Sequence, residues 1–94
     1  MQINDIFLDR LPKIDLHGET KDTARVLVND FIDEAYIMGY NEVVIIHGIG
    51  TGALKTEVKE TLSRNKKVKS FYIDASNIGC TVVKINNWII KILH

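Results

Sequence analysis

Asp15 and His17 stand two residues apart in the run Ile14-Asp15-Leu16-His17-Gly18, and a second histidine opens the run His47-Gly48-Ile49-Gly50-Thr51-Gly52. In an extended strand, residues two apart leave the same face, so this spacing sets Asp15 beside His17. Histidine is the side chain best suited to proton transfer near neutral pH, and a neighbouring carboxylate can orient it or raise its basicity. The three glycines let the backbone turn tightly and approach a ligand closely. A helix start behind them would offer free N–H groups and the positive end of a dipole to a phosphate. Thr51 can cap that helix or donate to the phosphate, and Lys55 lies one turn in. Asp15, His17 and His47 are therefore the candidate catalytic groups, and Gly48, Gly50, Thr51, Gly52 and Lys55 the candidate phosphate site.

Each feature also has a plainer reading. A glycine-rich turn between strand and helix is more often only a turn, and a histidine at a strand end commonly satisfies a backbone group. Asp15 can simply cap its turn. The glycine run is neither a Rossmann fingerprint nor a P-loop, since the Gly-Lys-Ser/Thr ending is missing. What favours chemistry is the pairing of the two clusters, which brings two histidines and a carboxylate to one phosphate seat. Two-metal cleavage needs several carboxylates. Only Asp15 is well placed, with Glu19 a distant second, so neither a metal nor another cofactor is expected.

The elements that must hold these residues follow from the hydrophobic periods. Residues 13–17 alternate and stop at Gly18, as a strand entering a loop does. Ala24, Leu27, Val28, Phe31, Ile32, Ala35 and Met38 recur at spacings of three and four, which predicts a helix capped by Thr20, with Asp22 in its first turn and Gly39 at its end. The β-branched run Val43-Val44-Ile45-Ile46 suits a central parallel strand covered on both faces. A second helix, over about residues 53–64, places Leu54, Val58 and Leu62 on one face. Residues 68–73 and 80–85 form two further strands, joined by a loop over residues 74–79. The expected fold is α/β, a compact two-layer β-α-β-α-β-β sandwich with a mixed four-stranded sheet. Residues 1–12 form an N-terminal arm, residues 13–85 the domain and residues 86–94 an apolar extension. That extension either closes the core or serves as an association surface, through which the chain would form a homo-oligomer.

Composition sets the outer limits. The chain has 94 residues, 46% hydrophobic and 26% charged, which makes one globular domain. Twelve basic residues balance twelve acidic ones, so a protein that coats nucleic acid with general positive charge is excluded. The balance hides a polarity: residues 1–47 hold nine acids and four bases, net −5, and residues 48–94 hold three acids and eight bases, net +5. Arg64, Lys66, Lys67 and Lys69 concentrate the basic half into one segment, read either as a nucleic-acid contact or as a solvated helix exit. The single cysteine, Cys80, excludes an intrachain disulfide framework. No apolar run approaches the roughly 18 residues of a membrane span. The first residues lack the pattern of a signal peptide, so a cytoplasmic location and no membrane partner are expected.

The two motifs, in this order and separated by one amphipathic helix, resemble the Smr (small MutS-related) domain family. Ile14-Asp15-Leu16-His17-Gly18 is similar to its Leu-Asp-Leu-His-Gly motif, and the segment from His47 to Lys55 to its His-Gly-x-Gly-Thr-Gly motif. Gly79-Cys80-Thr81-Val82-Val83 is similar to its Gly-Ala-Thr-Val-Val strand. The resemblance implies the fold of the C-terminal domain of translation initiation factor three. It also implies endonuclease activity, as RNA cleavage or DNA nicking, with RNA or DNA and the ribosome as partners. Without an ATPase portion the chain resembles the free-standing type. Ile49 stands where relatives often carry lysine or arginine, the 74–79 loop is shorter than usual, and the apolar tail is extra. The expected activity is phosphodiester cleavage by Asp/His chemistry without metal. The alternative is a non-catalytic module that binds nucleic acid or the ribosome.

Overall fold

The computed structural model describes residues 10–86. The arm up to residue 9 and the apolar tail from residue 87 lie outside the described residues, as do the expectations placed on them. The order is β1 (Lys13–Asp15), α1 (Lys21–Met38), β2 (Glu42–Ile46), α2 (Ala53–Arg64), β3 (Val68–Asp74) and β4 (Asn77–Ile85). The sheet runs β1-β2-β4-β3, with β1 parallel to β2 and β4 antiparallel to both its neighbours. This is the expected mixed sheet. β2 is central, as its β-branched run requires, but it is parallel only on its β1 side.

The helices close one face of the sheet. Ala24, Val28, Ile32 and Ala35 of α1 and Val58 and Leu62 of α2 pack on Leu16, Val43, Ile45, Val83 and Ile85. Alternation sends Val44, Cys80 and Val82 to the opposite face, where they are buried as well. Met38, expected on the inward stripe of α1, is exposed, and Tyr36 packs against the core instead. α1 has the predicted caps: Thr20 Oγ1 accepts the Thr23 N–H at 3.2 Å, and Gly39 takes the left-handed conformation at φ 80°.

Two boundaries differ from expectation, each because an aspartate side chain captures a backbone donor. The first strand stops at Asp15, whose Oδ1 accepts the His17 N–H at 2.9 Å and bends the chain into a turn. The loop expected over residues 74–79 shrinks to Ala75 and Ser76, since Asp74 Oδ1 accepts both the Ser76 N–H (3.0 Å) and its hydroxyl (2.9 Å). Asn77 and Gly79 therefore lie in β4. The extra residues of β4 form an irregularity facing the Ile73–Asp74 step of β3. Among the described residues no helix is long and apolar enough to cross a membrane.

Candidate active site

Both motifs arrive at the same end of the sheet. β1 and β2 run side by side, so the turn after β1 and the glycine turn after β2 border one cleft of about 470 Å³. His17, Glu19, Lys21, His47, the residues 48–52 turn and Lys55 line it. Of the sequence-predicted groups, the structure thus brings together His17, His47, Gly48, Gly50, Thr51, Gly52 and Lys55. Asp15 is not in the lining; its carboxylate fixes the His17 backbone rather than its ring.

The two helix starts at this cleft differ in one respect. α1 is capped by Thr20 and has Asp22 in its first turn. α2 begins at Gly52, at φ 83°, with no side-chain cap from that residue and no acid in its first turn. Only a long 3.4 Å contact from the Ala53 N–H to Thr51 Oγ1 occupies its donors from a side chain. An uncapped helix start facing a cleft has the donors and the dipole that suit an anion. The turn that delivers it runs through Gly48 at φ 77° and Gly50 at φ 26°, conformations a side chain would strain.

His47 has a different character from His17. His17 is exposed, whereas His47 is buried with both ring nitrogens engaged. Nδ1 lies 2.8 Å from the Gly48 carbonyl, and Nε2 lies 2.9 Å from Thr81 Oγ1. A carbonyl only accepts, so Nδ1 carries the proton, and Nε2 of the neutral ring accepts from the Thr81 hydroxyl. The Gly79 carbonyl accepts from the His47 and Gly48 N–H groups at 2.9 and 3.0 Å. The start of the glycine turn is thereby fastened to β4 by backbone and side chain together. Thr81 was missed as a site residue by sequence reasoning. Its signal was a hydroxyl on the inward-facing register of an otherwise apolar strand.

The basic segment lies elsewhere. α2 starts at the cleft and its 12 residues carry the chain about 18 Å away before Arg64 is reached. Lys66, Lys67 and Lys69 are at that far end. Lys67 is also engaged, 2.7 Å from Asp33 and 5.6 Å from the centre of the Tyr36 ring. Ile49, 64% exposed, places an apolar side chain on the cleft wall. Cys80 is buried beside the site, and burial reinforced by Asp74 pushes its thiol above the ordinary 9.0. Among the described residues no three His, Cys, Asp or Glu side chains cluster to hold a metal ion.

This topology defines a small α/β domain whose cleft lies beyond the carboxyl ends of two parallel strands, the place where open α/β sheets bind ligands. The family model for the Smr domain matches residues 14–86, and the chain belongs to the Smr family. It is 48% identical over 68 residues to the endonuclease MutS2 of Ligilactobacillus salivarius, a match covering 72% of this chain and 9% of that protein. The endonuclease MutS2 of Caldanaerobacter subterraneus is 40% identical over 79 residues, covering 81% of this chain and 10% of that protein. The chain thus spans about a tenth of the length of the curated relatives it matches. The crystal structure of the Smr domain of Thermus thermophilus MutS2 superposes with a TM-score of 0.78 at 34% identity, covering 81% of this chain and 99% of that one. YdaL, a stand-alone small MutS-related protein from Escherichia coli, gives 0.75 at 21% identity, covering 81% and 65% of the two chains, and so shares the fold.

Proposed function

We propose that this domain is an endonuclease that cleaves phosphodiester bonds in single-stranded or distorted nucleic acid, RNA ahead of DNA. The observation that carries the reading is the uncapped start of α2 facing His17 across the cleft. A backbone phosphate sits on the turn of residues 48–52 with Lys55 beside it. Its developing negative charge meets fixed N–H donors, which need no rearrangement as the reaction proceeds.

His17 carries the proton transfer, since it alone of the two histidines presents a free ring to the cleft. Asp15 holds the His17 backbone in place. His47, tied on both nitrogens, positions Gly48 rather than exchanging protons with substrate. Glu19, on the same wall, is the second acid–base candidate. On RNA, the 2′-hydroxyl attacks the neighbouring phosphorus and the 5′-oxygen leaves, a route that needs one base and one acid and no metal. The reading extends the name shared by the MutS2 relatives to the part of them that this chain matches.

End-labelled RNA and DNA oligonucleotides incubated with the chain and with His17→Ala test it. Cleavage is expected to fall about 100-fold or more in the variant. Undiminished cleavage would remove His17 from the site. Salt-sensitive binding with no product from either chain would instead identify the non-catalytic module, which needs only the seat.

A further inference from the structure

A second groove, of about 230 Å³, leaves the active-site cleft between α2 and the edge strand β3. It is lined by Lys55, Lys59, Phe71, Tyr72, Ile73 and Thr81. Lys55 also lines the cleft, so the two depressions meet at that residue. Thr81, in the groove wall, is the hydroxyl that holds His47.

We propose that this groove carries the nucleic-acid strand flanking the seated phosphate, a proposal that rests on the endonuclease reading of the cleft. Lys55 and Lys59 are four residues apart and share one face of α2, about 6 Å apart along its axis. That spacing suits successive phosphates of an extended strand. Of the two acids on the same helix, Glu57 turns toward α1 and meets Arg25 at 3.4 Å, and Glu60 is not among the residues that line the groove. The opposite wall is apolar and aromatic: Phe71, half-buried, and Ile73, 37% exposed, pair with Val83 and Thr81 on the helix side of the sheet. Tyr72 pairs with Val82 and turns its ring to the other face. A basic rail facing an apolar and aromatic wall is the combination that holds single strands without reading their sequence. The groove also gives the distant basic segment a place in the same path, since α2 and β3 are the elements whose far ends bear Arg64 and Lys69.

Binding of fluorescein-labelled twelve-nucleotide single-stranded RNA and DNA, followed by anisotropy across a salt series, tests the proposal. Lys59→Glu is expected to weaken binding about tenfold and to flatten the salt dependence by about one ion. Lys84→Glu, an equal change of charge at an exposed position on β4 outside both depressions, is the comparison and should stay within about twofold. Equal losses in the two variants would show a net-charge effect and overturn the groove. So would tight binding by the parent chain that Lys59→Glu leaves intact, with the seat reading still standing. A parent chain that binds neither oligonucleotide would overturn the groove and the seat together.

Discussion

His17 and His47 are the same residue type at equivalent strand ends, yet the structure gives them opposite environments. His47 spends both nitrogens on the protein, so its contribution is the shape of the turn. Thr81→Val removes the donor to Nε2 and leaves a buried acceptor unpaired, which should cost about 1–3 kcal/mol of stability. Cleavage should fall with it, and Thr81→Ser, which restores the hydroxyl, should recover both; a Val variant that melts and cleaves like the parent would refute the latch. Cys80 supplies a pH signature. Its thiol is held neutral in the fold, so up to about pH 9 it leaves stability unchanged. Above that value the unfolded chain releases the proton while the folded chain retains it. Stability should then decline, and continue to do so until the folded thiol also ionises. Urea titrations at pH 8 and pH 10 should show a smaller difference in Cys80→Ala than in the parent. At this scale the sequence shows that His17, His47 and the glycine turn gather, but not that Asp15 stays out of the cleft or what each side chain touches. Asp15 and His17 were set side by side by strand alternation, and the side chain of Asp15 itself ended the strand by taking the His17 N–H. A competition between side chain and ladder for one donor leaves no mark in a hydrophobic pattern.

At the scale of elements, the joint between β4 and the glycine turn sets the site. The Gly79 carbonyl reaches two N–H groups of the turn only because the backbones are nearly in contact. A Cβ on Gly79 would lie 3.3 Å from Gly48 Cα and 3.4 Å from its carbonyl carbon. Gly79→Ala should therefore displace the turn by a few tenths of an ångström, costing about 1–2 kcal/mol of stability. Cleavage should fall further than stability alone explains. A thermal melt beside a cleavage time course checks this, and an alanine variant with parental cleavage would mean that the turn is not set by β4. The helices were legible in detail because their signals are local: Thr20, Gly39 and the stripe through Val28 and Ile32 mark α1 from within its own segment. The start of β4 was not, since the short turn at Ala75 and Ser76 depends on Asp74 folding back on Ser76. A pattern that reads residues 74–79 as a loop hides the place of Gly79 in the joint.

Across the described residues, the acidic and basic halves of the chain lie side by side in one domain, β1, α1 and β2 from the first and α2, β3 and β4 from the second. Arg25–Glu57 and Lys67–Asp33 cross between them, joining α1 to α2 and to the entry of β3. Both pairs are at least partly exposed, so they align the halves more than they stabilise them. The cleft opens where the halves meet, with His17, Glu19 and Lys21 on one side and the turn and Lys55 on the other. Zero net charge thus conceals a polarised sequence, and under the proposed function the cleft grips one phosphate and the groove guides the strand beside it. The order of elements and the pairing of the two motifs were readable because crossover connections bring successive strand ends together. The groove between α2 and β3 was not, because it joins residues 55 and 59 to residues 71–73 through packing alone. The central claim is metal-independent cleavage at this cleft with His17 moving the proton. It is tested most directly by identifying the product ends from labelled RNA cleaved in excess chelator. A 2′,3′-cyclic phosphate formed by the parent chain and lost in His17→Ala is the predicted result; cleavage abolished by chelator and restored by a divalent ion would contradict it.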